Sequence, residues 1–360
     1  MLLKSEQIQR CKKCNLPSNY PHITFNDDGE CNYCIENQQN KHNYLGMKAL
    51  KKNIDKILSQ SSPNRKYDCA VGVSGGRDSS YLLYFAKEVL GLNVLAISLD
   101  HDFITPFAKQ NIKVLVERLG VDIHYIKNDI LNIASRKSVQ SWAKKPDVAM
   151  CVSFCTGCRY GISKMIPKYA MEQKIPILMT GHSINEAKTN YRIELLCDNK
   201  KSSKANLFIG YGKRLLKNPS YFISIKTLYY QFLDFLAEKG RKGKTNLAII
   251  KPFYYIEWNE DTVVPKILEL GWKFDDKEFK STWRADCYIG VLRQFFYKQE
   301  LGFNDLDAYY AHLLRNKEIS MSEAMERIRF ENENNEDLVR SILRDFYDVD
   351  YDIVKKKMNK

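Results

Sequence analysis

No stretch of this 360-residue sequence approaches the roughly 20 apolar residues that a membrane-spanning helix requires, so the chain is not expected to cross a bilayer. Its opening, MLLKSEQIQRCKKC, has two leucines and then polar residues, and so lacks the apolar core of a secretory signal; the expected location is the cytoplasm. No repeat of fixed period and no low-complexity tract interrupts the pattern. A lysine-bearing GxxxxGK(S/T) phosphate loop is also missing, which argues against transfer of a terminal phosphoryl group in the manner of P-loop kinases.

What is present is the composition of a soluble globular protein: 44% hydrophobic, 28% charged and 12% aromatic residues. The formal charge of +13 implies attraction to an anion such as ATP, a nucleotide-activated sugar or an RNA backbone. The lysines are scattered rather than massed in one block, so many of them are read as solvating helix faces. Ten cysteines would form a disulfide framework in a small secreted chain; in a chain of this length without a signal they point to metal binding or to chemistry.

The order of apolar patterns predicts an α/β fold with a parallel sheet. Residues 1–45 carry four cysteines and several turn formers, too little for a core without a metal staple. Residues 46–66 read as a linking helix. Residues 67–255 alternate strands at Asp68–Val73, Asn93–Leu99, Asp122–Ile126 and Ile175–Thr180 with helices after Ser79, at Pro106–Leu119 and around Gly161–Gln173. The stretch between Ile126 and Gly161 reads as irregular, 197–220 as a loop or lid, Tyr221–Glu238 as a helix, and Leu247–Tyr254 as strand-like. Residues 256–360 read as mainly helical, with Ser320 and Glu323 forming a candidate capping box.

Two motifs carry chemistry. Ser74-Gly75-Gly76-Arg77-Asp78-Ser79 lies between a buried strand and a helix N-terminus, where paired glycines let backbone N–H groups approach phosphate oxygens and the helix dipole adds positive charge. Ser74 and Ser79 offer hydroxyl donors. Asp78 would repel phosphate, so its expected task is to hold a Mg²⁺ ion bridging the phosphates, and Asp78 and Ser74 are the candidate catalytic residues. Arg77 and Arg159 are candidate phosphate contacts. Gly181-His182, at a later strand end, is a candidate nucleotide or substrate contact, against a structural histidine as the plain alternative.

The second motif is the pair Cys11-x-x-Cys14 and Cys31-x-x-Cys34, whose spacing predicts a closed structural Zn²⁺ site of four thiolates. Cys155 and Cys158 sit ahead of a strand where sheet ligands bind, with Cys151 nearby and Cys287 as a remote partner. Cys155, Cys158 and Cys287 are candidates for a second metal or a [4Fe–4S] cluster with one open iron, set against buried, unligated thiols. Cys69 and Cys197 read as core and loop residues.

The Ser74–Ser79 string resembles the signature of the PP-loop ATP pyrophosphatases, which implies cleavage of ATP to AMP and pyrophosphate with AMP placed on a carbonyl oxygen. By the same resemblance, Leu99-Asp100 at the end of the second strand is a candidate adenosine contact. More widely, Cys11-Lys12-Lys13-Cys14-Asn15-Leu16-Pro17, the segment Ile23 to Cys31 and the tail Thr282-Trp283-Arg284-Ala285-Asp286-Cys287 resemble the N-acetyl sugar amidotransferases. That resemblance implies conversion of an acetamido group on an activated amino sugar to an acetamidino group for bacterial surface glycans, lipopolysaccharide or nonulosonic acids among them. It also implies a separate glutaminase subunit supplying ammonia. Thr156-Gly157-Cys158-Arg159-Tyr160 and Gly181-His182-Ser183-Ile184-Asn185-Glu186 lean instead towards the tRNA thiolases, an alternative that implies an iron–sulfur cluster and a tRNA substrate.

Overall fold

The computed structural model describes all residues except 1–7, 40–43, 128, 183–190, 199, 201–202, 224–246, 275–281, 284–285, 334 and 359–360. Short apolar runs with no polar alternation become strands β1 (Cys69–Gly72), β2 (Val94–Asp100), β3 (Asp122–Lys127), β4 (Ile177–Met179) and β5 (Ala248–Ile250). They form one parallel sheet in the order β3-β2-β1-β4-β5. The chain runs outward from β1 through β2 to β3 and then crosses back to β4. The order therefore reverses between β1 and β4, and the crevice beyond their C-terminal ends is where such sheets take ligands.

Helices α1 (Asn32–Gln39), α2 (Gly46–Ser59), α3 (Arg77–Tyr84), α4 (Pro106–Leu119), α5 (Asp129–Lys144), α6 (Thr156–Tyr160) and α7 (Ile166–Glu172) precede β4. The limits of α4 follow from local chemistry: the Thr105 hydroxyl caps the Ala108 N–H, Pro106 opens the first turn, and Gly120 stops the helix at φ 58°. A π-turn over Gly161–Met165 joins α6 to α7 beside the sheet. Leu50 and Ile54 of α2 pack in the same core as Val71 and Ile177 of the sheet.

Two segments differ from the sequence reading. The stretch expected to be irregular holds α5 and a 3-10 helix at Val148–Cys155, with Val139 and Trp142 of α5 fully buried against the distant chain around Phe296 and Tyr347. Residues 197–220, expected to be a loop or lid, are mostly helical: α8 (Tyr191–Leu196) leads to α9 (Lys204–Lys217), which Ser203 caps through the Asn206 N–H. Gly210 is there for close packing, because a Cβ at that position would collide with the Leu196 carbonyl. Arg214 then ties the two helices by donating to the Leu195 and Leu196 carbonyls. Most of the expected helix at Tyr221–Glu238 lies outside the described residues.

The C-terminal region comprises α10 (Glu260–Glu269), α11 (Tyr288–Leu301), α12 (Asp305–Asn316), α13 (Met321–Asn332), α14 (Glu336–Tyr347) and α15 (Tyr351–Met358). Ser320 caps α13 by accepting from the Glu323 N–H. These helices do not form a separate layer: Leu306, Tyr309 and Leu313 of α12 share the core of the sheet. No helix among the described residues is long and apolar enough to cross a membrane.

Candidate functional site

The turn after β1 is forced by its glycines. Gly75 adopts φ +77°, and a Cβ there would collide with the Ala108 carbonyl of α4, so no other residue fits without moving the loop. Its carbonyl oxygen accepts from Trp272 Nε1 at 2.9 Å and from Asn111 Nδ2 at 3.3 Å, which pins the turn to α4 and to the chain after α10. Gly76 follows as the N-cap of α3, and a Cβ on it would press within 2.9 Å of Asp286 Oδ2. The Ser79 hydroxyl accepts from the Ser74 N–H at 3.1 Å and donates to the Gly76 carbonyl at 3.2 Å, closing the loop onto the first turn of the helix. Gly75→Ala should therefore abolish nucleotide binding while melting the protein earlier by several degrees. Calorimetry with an ATP analogue and a thermal scan check this, and an alanine variant that binds as the parent does would contradict it.

Arg77 is buried, and its guanidinium is engaged through Nε and Nη1. It reaches Asp78 at 3.0 Å, Glu260 Oε1 at 2.9 Å and Thr282 Oγ1 at 3.2 Å, and lies 4.5 Å from the Trp258 ring centroid. It fastens the start of α3 to α10 and the segment before α11, so its position is that of a clamp behind the phosphate loop.

A cavity of about 560 Å³ opens in front of the loop. Its lining includes Ser74, Gly76, Arg77, Asp78 and Ser79, and also Gly181 and His182 at the end of β4. Gly75 is not part of the lining. Asp100 is not either, whereas Leu99 and His101 are, because side chains alternate along β2. Gly181 sits close to the Asp78 carbonyl, where a Cβ would stand 3.3 Å from the oxygen, so the β4 end and the α3 start are packed backbone to backbone.

The same cavity is lined by Cys155, Cys158 and Cys287. Cys155 is the N-cap of α6, and Cys287 arrives from 132 positions further on because the loop after β2 pairs with the start of α11. That pairing consists of an antiparallel bridge between Ile104 and Cys287, with the Thr105 N–H donating to the Asp286 carbonyl at 3.1 Å and the Tyr288 N–H to the Phe103 carbonyl at 3.0 Å. Burial pushes the Cys158 thiol up to about 12 and the Cys287 thiol well above its ordinary range, so without a metal neither is a ready thiolate at neutral pH. Cys151 is fully buried outside the cavity lining, Cys69 lies in the core of β1, and Cys197 is also buried.

Sequence reasoning passed over three residues here. His101 is buried, and desolvation lowers its pKa to about 4, leaving it neutral. Its Nδ1 accepts from the Phe103 N–H at 3.3 Å, so its proton sits on Nε2, 3.8 Å from Cys158 Sγ. Arg293 of α11 donates to Cys155 Sγ at 2.9 Å. Asp286 stands beside the phosphate loop. Arg293 and Asp286 are brought in by the pairing of Ile104 with Cys287, Asp286 from within the tail string already noted in the sequence, whereas His101 follows β2 a step of two after Leu99.

The four N-terminal cysteines form a separate centre. All are buried, and their sulfurs lie within 4.8 Å of one another, with separations of 3.5 Å for Cys14–Cys31, 3.7 Å for Cys31–Cys34 and 3.8 Å for Cys11–Cys34. Four thiolates about 2.3 Å from a tetrahedral ion stand about 3.8 Å apart, so this set fits one metal ion. The Cys31 N–H and Arg315 point donors at two of the sulfurs. It is the one such group among the described residues; Cys155, Cys158 and Cys287 do not gather so tightly.

The NAD synthase family matches residues 47–189, which span the first four strands. An uncharacterized protein of Methanocaldococcus jannaschii is 24% identical over 123 residues, covering 29% of this chain and 44% of that protein, so the chain spans less than half the length of this relative. Among solved structures, the NMN synthetase of Francisella tularensis is 14% identical with a TM-score of 0.38, covering 81% of this chain and 95% of that one. The U34-tRNA thiolase NcsA of Methanococcus maripaludis, solved with its [4Fe-4S] cluster, is 18% identical with a TM-score of 0.35, covering 95% and 99%. The NH3-dependent NAD synthetase of Campylobacter jejuni is 13% identical with a TM-score of 0.29, covering 63% and 97%. The chain has a PP-loop, NAD synthase-like domain, preceded by a four-cysteine cluster able to bind metal.

Proposed function

We propose that this protein is an ATP-dependent amidotransferase that converts the acetamido group of an activated amino sugar into an acetamidino group. The observation that carries the reading is the phosphate loop, with Asp78 and Asp286 beside it, opening into a cavity of about 560 Å³. The backbone N–H groups at the start of α3 and the Ser74 hydroxyl hold the ATP phosphates. Asp78 and Asp286 suit a hard cation such as Mg²⁺, which offsets the phosphate charge where the two carboxylates face the loop.

The amide oxygen of the acetamido group attacks the α-phosphorus and pyrophosphate leaves. Ammonia then adds to the imidate carbon, AMP departs, and one proton is released. Ammonia at neutral pH is mostly ammonium, so a glutaminase partner is expected to deliver it. A Zn²⁺ ion on Cys11, Cys14, Cys31 and Cys34 would serve structure only, since four thiolates leave no open position.

The placement of Cys155, Cys158 and Cys287 around the same cavity favours a second reading, a tRNA thiolase in which these residues hold a [4Fe–4S] cluster. The two readings separate on one preparation. Protein purified without oxygen is assayed for zinc, iron and sulfide, and ATP cleavage is followed with a UDP-linked N-acetyl sugar plus ammonium. Zinc without iron, and AMP formed only when both sugar and ammonium are present, is the expected result. Four irons per chain with no sugar-dependent AMP would discard the amidotransferase in favour of the thiolase.

A further inference from the structure

The cavity is electrically two-ended. Its acidic side chains, Asp78 and Asp286, both sit at the phosphate loop, where Arg77 is already neutralised by Asp78 and Glu260. The wall carrying the cysteines has three guanidinium groups, Arg159, Arg192 and Arg293. Arg192 and Arg293 share a single carboxylate oxygen, Asp305 Oδ2, at 3.2 and 3.1 Å. Arg293 is spoken for, because its other arm is on Cys155. Arg159 has only neutral acceptors among the described residues, the Val152 carbonyl at 2.7 Å and the Thr156 hydroxyl at 3.3 Å. Arg192 and Arg293, both largely buried, share one carboxylate, which leaves them with an excess of positive charge that an anion would offset, and the exposed Arg159 adds a solvated cation on the same wall.

We propose that Arg159 and Arg192 form a second anion subsite, distinct from the phosphate loop, that binds the diphosphate of the acceptor substrate. The inference rests on the amidotransferase reading for its choice of acceptor and deepens it, since an activated sugar carries such a diphosphate. Two guanidinium groups match two anionic phosphates, each able to take a paired hydrogen bond. With Arg192 only 17% exposed inside the cavity, a small molecule reaches it and a folded RNA backbone does not. The arrangement also gives the two substrates opposite ends: metal-bound ATP at the acids, the acceptor at the arginines, and the reacting atoms between them.

The test is calorimetric, on the full chain with its metal. UDP is titrated into protein already saturated with α,β-methylene-ATP and Mg²⁺, which fills the phosphate loop without reacting. UDP is expected to bind, and Arg159→Gln or Arg192→Gln to weaken it at least tenfold while changing affinity for the ATP analogue less than threefold. Arg159 is exposed and makes no ion pair among the described residues, so its variant should fold even if Arg192→Gln disturbs Asp305. Failure of UDP to bind analogue-loaded protein, simple competition between the two ligands, or indifference to both substitutions would overturn the subsite. Binding of the analogue without UDP sinks this inference alone. Arginine-dependent binding of UDP without any binding of the analogue sinks the ATP reading and leaves the subsite standing.

Discussion

Asp78→Asn is expected to lower ATP-dependent pyrophosphate release by about a hundredfold to a thousandfold, the range seen when one preorganised electrostatic group is removed from a transition state. Asp78 stands in the first turn of α3, in the cavity lining, at the point where the loop would hold phosphate. In the proposed reaction a cation lies between this carboxylate and the phosphates, so its negative charge is the property that reaction would use. Asparagine keeps the shape and removes the charge. The fold should survive: the Arg77 guanidinium keeps Glu260 at 2.9 Å and Thr282 at 3.2 Å, and the asparagine carbonyl can still accept from its Nε. The expected stability cost is about 1–3 kcal/mol for the weakened partner of a buried cation. Pyrophosphate release at saturating Mg²⁺, read beside a thermal melt, separates the two effects. A variant that forms AMP at the parent rate would remove Asp78 from the chemistry.

The phosphate loop was legible because its demands are local. A φ of +77° at Gly75 and a helix start at Arg77 need particular residue types in a row, and the sequence shows them in a row. The same holds for α4, where Thr105, Pro106 and Gly120 fix both ends. Helix α5 is missed because its apolar residues gain their meaning from far away: Trp142 packs against Phe296 in a tilted ring pair with centroids 4.3 Å apart, a partner 154 positions on. Gly210 misled for a related reason, since glycine marks both loops and tight helix contacts, and only the nearness of Leu196 tells which. The site divides along the same line. Ser74, Asp78 and the cysteine pairs are visible as motifs, whereas Arg293 joins the site only when Ile104 pairs with Cys287.

If the N-terminal cluster holds a metal, its removal should be felt well beyond residues 8–39, because that segment is built into the C-terminal helices. Arg10 reaches Asp307 at 3.0 Å, a carboxylate that is 1% exposed, and donates to the Gly302 carbonyl. Asn19 donates to the Leu301 carbonyl at 2.7 Å, and the Tyr20 ring packs between Tyr191 and Phe303 with centroids 5.5 Å from each. Tyr191 in turn opens α8, next to the arginine-lined end of the cavity. A four-thiolate zinc site supplies about 10–16 kcal/mol of apparent binding energy to a segment too small to fold without it. Cys14→Ser, or stripping with a strong chelator, should therefore free the segment, leave Asp307 without Arg10, and expose Tyr20 and Phe303 together. The expected loss is about 5 kcal/mol or more, seen as a fall in Tm of roughly 10 °C and as rapid proteolysis between residues 8 and 39. Cys155→Ser is the matched control, since it removes a sulfur from the cavity wall and should leave zinc content and the N-terminal digestion pattern unchanged. Metal-free protein that melts and digests like the parent would mean that the four cysteines hold this knob together by packing alone.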